Sequence, residues 1–201
     1  MTDSVATRTT DRRARAEREI LDAAWALVAD EGVGALNVRA VARSVGLRQQ
    51  SLTYYFPTKQ DLLNALFADG FADLQLSFDA LPERDDPTEA VVDVAIAFVD
   101  HCVAHPAHYH LMLQRTVPGF EPSDASHATA LRVLSVLLGR LEAAGVTDDG
   151  DIALVRSLMS GLSAEQIAND PDGRSFADQT ERGIRALLAA IRPAPRRRGA
   201  R

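Results

Sequence analysis

Apolar residues in this chain recur at helical spacing, in segments that glycine or proline ends. Ile20, Ala24 and Val28 would share one face of a first helix over about 12–31, and Gly32 follows as a stop. The sequence shows no strand-like alternation of useful length and no internal repeat. The pattern therefore predicts an all-α fold of about nine helices, with a small N-terminal unit and a larger helical unit.

Capping and stop signals predict where the other helices begin and end. Asn37 is a good N-cap for a short second helix that Gly46 ends, and Pro57 ends a third helix because its ring removes a backbone donor. Thr58 and Asp61 form a capping-box-like pattern at the start of a long fourth helix. The third helix is predicted over about 49–56, and later helices over about 88–105, from Pro106 onward, and over about 124–144, 148–169 and 174–191.

Charge is distributed unevenly along the 201 residues. The net charge is −6, but residues 1–59 carry +2, residues 60–192 carry −12 and residues 193–201 carry +4. The acidic majority of the chain would repel a polyanion, whereas the first segment would not. The distribution therefore leaves nucleic-acid binding by the N-terminal residues open.

Composition also limits the compartment and the chemistry. No apolar run approaches the roughly 20 residues of a membrane span, and the arginine-rich N-terminus lacks an apolar signal segment. We therefore expect a cytoplasmic protein with no membrane partner. Cys102 is the single cysteine, so we expect a buried thiol and no disulfide within the chain. We expect no cofactor.

The second and third helices, joined by a glycine-containing turn, have the pattern of a helix-turn-helix. An ordinary helical hairpin would share this pattern, so the outward face of the third helix decides between the two. At about 100° per residue, Leu52 and Phe56 define its buried side, and Gln50 and Tyr54 point most nearly opposite. The flanks carry Gln49, Ser51, Thr53 and Tyr55. Such neutral polar side chains suit base edges and phosphate oxygens, so the face favours DNA binding.

Lys59, the only lysine, is predicted in the first turn of the fourth helix. A cation there opposes the helix macrodipole and costs about 0.3–1 kcal/mol. The cost would be offset if the helix N-terminus and the lysine acted together on one phosphate. The position of Lys59 therefore indicates an anion site, although a lysine on an exposed turn needs no function.

Residues 18–66, REILDAAWALVADEGVGALNVRAVARSVGLRQQSLTYYFPTKQDLLNAL, resemble the DNA-binding domain of TetR/AcrR-family transcriptional regulators. The match runs through the first helix, NVRAVA in the second helix, VGL in the turn, and SLTYYFPTKQDLL. Asn37 replaces the commoner threonine and keeps the capping role, and Thr53 stands where the family usually has tyrosine. The resemblance covers about a quarter of the chain.

The resemblance implies a set of DNA contacts. Gln49, Gln50, Ser51 and Tyr54 fall where the family contacts bases or the adjoining backbone. Thr53, Tyr55 and Lys59 fall at phosphate-contacting positions. Arg39 and Arg48 complete the predicted DNA-binding set. The basic N-terminal arm, residues 1–11, would add minor-groove or phosphate contacts.

In this family the larger domain dimerises through its last two helices and often encloses an effector pocket. Two apolar stripes fit such a four-helix interface, although both could instead pack inside one chain. The stripes are Leu154, Leu158 and Gly161 in the eighth helix, and Ile184, Leu187, Leu188 and Ile191 in the ninth. Mostly apolar side chains with a few polar groups would line the pocket: Phe98, His101, Tyr109, Met112, Leu113, Phe120, Met159 and Gln166.

His101 and His105 have the i, i+4 spacing that can ligate zinc. No Asp or Glu lies at a matching offset, and Pro106 changes the chain direction, so we expect structural, exposed or pocket-lining histidines and no metal site. The sequence also lacks a Gly-x-Ser-x-Gly elbow, a His-Glu-x-x-His pair and a phosphate loop.

We therefore expect a non-enzymatic, DNA-binding transcriptional regulator. It would be a ligand-released repressor that binds double-stranded DNA as a homodimer, with an unknown small-molecule effector. The expected segments are a flexible basic arm (1–11), a helix-turn-helix domain (12–58), an effector-binding and dimerisation domain (59–192) and a disordered tail (193–201). A helical metal-dependent hydrolase and a helical protein-interaction adaptor are the alternatives.

Overall fold

The computed structural model of the chain describes residues 3–114 and 116–191. Across these ranges it contains nine α-helices, two short 3-10 helices and no strand, which confirms the predicted all-α fold. The predicted tail, 193–201, lies outside the described residues. The helices are α1 (Asp3–Glu31), α2 (Val38–Ser44), α3 (Gln49–Tyr55), α4 (Lys59–Asp79), α5 (Pro87–Ala104), α6 (Pro106–Leu113), α7 (Asp124–Ala143), α8 (Asp149–Asn169) and α9 (Thr180–Ala190). The 3-10 helices are Val33–Ala35 and Ala177–Gln179.

Two helices start away from their predicted positions. α1 begins at Asp3, so the segment 1–11 that was expected to be a flexible arm is helical over most of its length. No glycine or proline occurs before Gly32, so no breaker separates this segment from the rest of the helix. α9 begins at Thr180 rather than near residue 174, because a hydrogen-bonded loop holds the residues before it.

The predicted caps and stops of the short helices form as expected. The Asn37 side-chain oxygen accepts a hydrogen bond from the Ala40 amide at 2.8 Å. Asp61 accepts from the Thr58 amide at 3.0 Å, and the Thr58 hydroxyl oxygen accepts from the Asp61 amide at 3.1 Å, which completes the capping box. Gly46 follows α2 with a φ of 69°, a left-handed conformation that glycine adopts without strain.

The chain folds as two compact units. The N-terminal unit comprises Met1–Gly70 and Ala107–Ala128, and the C-terminal unit comprises Phe71–Pro106 and Thr129–Arg201. These limits differ from the expected functional division between residues 58 and 59, because much of α4 and the segment Ala107–Ala128 group with the first helices. We call Ala107–Ala128 the return segment.

The return segment completes the core of the N-terminal unit. Leu111 lies in one buried cluster with Ile20, Leu52 and Leu66, which come from α1, α3 and α4. Phe120 packs against the same cluster. The first three helices therefore share their core with residues that follow much later in the chain.

Hydrogen bonds also fasten the return segment to α4. The Gln60 side-chain amide donates to the Glu121 carbonyl at 2.8 Å, and the Ser123 amide donates to the Asn64 side-chain oxygen at 2.9 Å. The Ser126 hydroxyl donates to the Asn64 carbonyl at 3.1 Å. Polar contacts therefore reinforce the apolar core on this side of α4.

A carboxylate on α4 holds α1 in the same unit. Asp69 accepts two hydrogen bonds from the Arg18 guanidinium, at 2.5 and 2.9 Å, and a third from the Trp25 indole N–H at 2.8 Å. Arg18 also pairs with Asp22 on its own helix, at 2.8 Å. Asp69 therefore accepts three hydrogen bonds from two side chains of α1.

The C-terminal unit is built on α5, which packs against α8 and α9. Cys102 on α5 is buried, as expected, and burial raises the pKa of its thiol to about 12, an effect that a hydrogen bond with Ser163 partly offsets. Ion pairs join α9 to α5, where the Arg185 guanidinium donates to both carboxylate oxygens of Glu89 at 2.6 and 2.8 Å. This pair holds the pKa of Glu89 below its usual range.

The Gln166 side chain organises the loop between α8 and α9. Its amide nitrogen donates to the Gly173 carbonyl at 3.0 Å and also to the Asp170 carbonyl. Its oxygen accepts from the amides of Phe176 and Ala177 at 3.0 and 2.9 Å. Gln166 is fully buried, so these four bonds replace the water that the amide would otherwise bind.

Candidate nucleic-acid interface

α2 and α3 form a helix-turn-helix. The turn contains Val45 and Gly46, and the Leu47 amide donates to the Ala42 carbonyl at 2.8 Å, which satisfies one of the last carbonyls of α2. Val41 and Ala42 are buried on the inner face of α2. Leu47 packs against the same core cluster and so anchors the turn.

The two faces of α3 separate as the helical angles predict. Leu52 has no exposed surface and Phe56 is 7% exposed, so both belong to the core. Gln49, Gln50 and Ser51 are exposed, and Tyr54 is 68% exposed. α3 therefore presents neutral hydrogen-bonding groups and one aromatic ring away from the core.

Tyr55 and Thr53 are only partly exposed, and their predicted phosphate contacts stay predictions. Tyr55 is half-buried and packs against the core cluster, so most of its ring stabilises the N-terminal unit. The Thr53 hydroxyl donates to the Gln50 carbonyl at 2.9 Å within the helix. A phosphate contact from Thr53 would have to replace that bond, because a hydroxyl has only one proton to donate.

The three basic residues predicted to contact DNA lie near the starts of α2, α3 and α4. Arg48 precedes α3 and is exposed, and its carbonyl accepts from the Ser51 amide at 2.9 Å. Arg39 on α2 is exposed and donates to the Gln49 side-chain oxygen at 3.4 Å, a long contact between the two helices. Lys59 is the first residue of α4, but Asp61 already supplies a carboxylate in that turn.

Arg13 on α1 also belongs to this surface. The carbon of its guanidinium lies 5.3 Å from the centre of the Tyr54 ring and 5.9 Å from that of Tyr55. Sequence reasoning did not single it out, because 41 positions separate Arg13 from Tyr54 and no local pattern links them.

The predicted pocket residues are divided between the two units. Phe98, His101, Met159 and Gln166 belong to the C-terminal unit, and Tyr109, Met112, Leu113 and Phe120 to the N-terminal unit. Gln166 was predicted to offer a polar group to the pocket, but it has a structural role. Its amide already makes four hydrogen bonds to backbone groups. Leu113 is exposed, whereas Met112 is buried against Gly70.

A groove of the C-terminal unit is lined by none of the predicted pocket residues. Its walls combine apolar side chains with one arginine: Thr88, Ala144, Gly145, Val146, Arg185, Leu188, Ala189 and Ile191. Arg185 is bonded to Glu89 and Glu181, so its guanidinium is already paired. Leu188 and Ile191, which were expected in a dimer interface, line this groove.

The predicted dimer stripe is only partly exposed. Leu154 is 54% exposed, Gly161 is exposed, and Leu158 and Leu187 are half-buried. Ile184 has no exposed surface, so it packs inside the chain and is corrected from interface residue to core residue. A dimer face on α8 and α9 would therefore centre on Leu154 and its neighbours rather than on Ile184.

Within the described ranges, no group of three His, Cys, Asp or Glu side chains could hold a metal ion. The His101 and His105 rings lie 5.0 Å apart, centre to centre. In the same part of the chain, no single helix is long and apolar enough to cross a membrane, although α5 and α6 together meet the length and composition requirement.

The all-α fold and the α2–α3 arrangement are those of a helix-turn-helix protein. The family model "Bacterial regulatory proteins, tetR family" matches residues 20–66, and the model "Tetracyclin repressor-like, C-terminal domain" matches residues 91–191. The second match covers half of the chain. The chain therefore belongs to the TetR family.

Relatives and solved structures agree with this assignment. The HTH-type transcriptional regulator Rv1816 of Mycobacterium tuberculosis is 30% identical over 150 residues, which span 72% of this chain and 62% of that protein. The HTH-type transcriptional repressor LfrR of Mycolicibacterium smegmatis is 42% identical over 84 residues, 42% of this chain and 41% of LfrR. The crystal structure of PfmR, a TetR-family regulator from Thermus thermophilus, matches with a TM-score of 0.64 at 24% identity, over 85% of this chain and 97% of PfmR.

Proposed function

We propose that the chain is a ligand-responsive repressor that binds a pseudo-palindromic operator as a homodimer. The observation that carries the proposal is the outward face of α3, where Gln49, Gln50 and Ser51 are exposed beside Tyr54. These groups can donate to and accept from base edges in the major groove. The core contacts of Leu52 and Phe56 would hold that face rigid as it enters the groove.

Repression, dimerisation and ligand response are the finer parts of the proposal. LfrR, a relative that matches part of this chain, is named a repressor. Regulators of the TetR family bind DNA and usually act as dimers with small-molecule effectors. The partly exposed apolar stripe around Leu154 supports a dimer contact, since an exposed leucine on a helix face gains by burial against a second copy. Such a regulator would bind chromosomal DNA in the bacterial cytoplasm.

Selection from random duplex DNA with the purified full chain tests the proposal. We expect enrichment of an inverted repeat whose half-sites lie about one helical turn apart, because a two-fold dimer presents two α3 helices. The variant Gln50→Ala should lose preference at a matched pair of positions while it still binds the enriched site. Enrichment of no sequence would contradict the proposal and would favour the protein-interaction adaptor.

Substitution of Lys59 tests the predicted anion site at the start of α4. If Lys59 neutralises one phosphate, Lys59→Ala should weaken binding to every sequence and reduce the slope of log affinity against log salt by about 0.9. Affinity measured from about 50 to 200 mM salt gives that slope. Arg156→Ala on α8 removes the same charge from an exposed position of the C-terminal unit and is the matched control. An unchanged slope for Lys59→Ala would remove Lys59 from the interface.

A further inference from the structure

Arg13 lies against the aromatic pair of α3. Its guanidinium carbon is 5.3 Å from the Tyr54 ring centre, within the range of a cation–π contact. The two tyrosine rings meet edge to face, with their centres 5.2 Å apart. Because Tyr54 is 68% exposed on the outward face of α3, the guanidinium lies at the border of that face.

Glu17 holds the same guanidinium one helical turn further along α1. The Arg13 Nε donates to a Glu17 carboxylate oxygen at 2.7 Å, and this bond is the main reason that the pKa of Arg13 is raised above its usual value. The Arg13 side chain is 49% exposed and that of Glu17 is 35% exposed. The pair is therefore open to solvent and can exchange partners.

We propose that Arg13 is a further DNA-contacting residue and that Glu17 occupies it in the DNA-free protein, as a substitute for a phosphate. The inference rests on the proposed function. A carboxylate and a phosphate both accept the paired donors of a guanidinium, so one can replace the other without movement of the helix. An exposed ion pair contributes little stability, so its exchange for a phosphate costs the fold little.

The pairing of Glu17 with Arg13 would lower the affinity for DNA of any sequence, because Glu17 competes with a phosphate for the guanidinium. On a duplex of any sequence, a phosphate must displace Glu17 before it gains Arg13. The Tyr54 ring keeps the guanidinium beside α3 during that exchange, so the arginine would not have to be ordered again. Glu17 therefore sets how strongly the protein holds DNA, while the groups of α3 set which sequence it prefers.

A double-mutant cycle on the full chain tests the competition. Affinities are measured for Arg13→Ala, Glu17→Gln and the double variant, against the operator enriched by selection and a scrambled duplex, across the same salt range. Arg13→Ala should weaken both affinities about three- to tenfold and lower the salt slope by about 0.9. Glu17→Gln should tighten both about two- to fivefold, and it should have no effect in the Arg13→Ala background.

Two charge-matched controls separate a specific pair from net charge. Arg156→Ala and Glu142→Gln change exposed residues of the C-terminal unit by the same charge, and neither should alter the affinities measurably. Arg13→Lys keeps the cation and should keep the salt slope, which distinguishes a phosphate contact from a loss of structure. Circular dichroism of each variant reports whether the fold is intact.

Distinct results would overturn the inference. If Glu17→Gln tightens binding equally with and without Arg13, then Glu17 acts through net charge alone and is not a competitor. If Arg13→Ala binds as the wild type does, Arg13 is outside the interface. If the wild type binds its operator but the cycle shows no coupling, only this inference fails, whereas a wild type that binds no duplex removes the proposed function and this inference with it.

Discussion

Replacement of Gln166 with alanine is expected to destabilise the C-terminal unit by about 2–4 kcal/mol. The buried amide makes four hydrogen bonds to the backbone of the loop before α9. Without it, the Ala177 amide, which is buried, would have no partner unless water enters. A large loss is expected because one buried and three partly buried backbone groups lose their partners together.

Thermal unfolding of the variant, followed by circular dichroism, measures this loss. Gln179→Ala is the matched control, because Gln179 is exposed in the same region and its side chain makes only a long contact, 3.4 Å, to the Ser175 carbonyl. The control should unfold within about 0.5 kcal/mol of the wild type. Equal unfolding temperatures for the two variants would show that Gln166 does not hold the loop.

Asp69→Ala is expected to cost about 1.5–3 kcal/mol in the N-terminal unit. The substitution removes the acceptor of the Trp25 indole and of two Arg18 bonds, and Trp25 is 9% exposed, so water would replace its lost partner poorly. The estimate is reduced for solvent because the Arg18 side chain is 44% exposed. Trp25 is the only tryptophan, so its fluorescence during denaturant unfolding reports on this contact directly.

Asp22→Ala is the control for this effect. Asp22 pairs with the same arginine at 2.8 Å, but its side chain is 65% exposed and it does not bond to Trp25. Its loss should therefore cost no more than about 0.5 kcal/mol. If the two aspartate variants were equally stable, the contact between Asp69 and α1 would contribute nothing beyond an ordinary surface ion pair.

Local signals explain why most helix boundaries could be predicted. The Asn37 cap, the Thr58–Asp61 capping box and the left-handed Gly46 act within a few residues, so the sequence contains the whole cause. The start of α9 could not be predicted, because it depends on bonds from Gln166 to residues ten and eleven positions later. A helical pattern alone does not reveal which polar side chain will be buried among backbone groups.

The candidate interface could also be predicted only where local geometry decides the position of a side chain. Helical angles were enough to place Leu52 and Phe56 inside and Tyr54 outside, because those positions lie near the centres of the two faces. Tyr55 lies on a flank, where its burial depends on which other residues pack beside it. The contact of Arg13 with Tyr54 joins two helices that are distant in sequence, so only the fold reveals it.

The return segment has a consequence for the order of folding. Residues of α1 to α3 leave the ribosome first, yet their core also contains Leu111 and is covered by Phe120. The N-terminal unit therefore cannot bury its full apolar surface until residues 107–128 have been synthesised. α3 ends at Tyr55 and the return segment ends at Ala128, so 73 further residues must be made before the helix-turn-helix has its full core, and its apolar face would be exposed to chaperones and proteases for that interval.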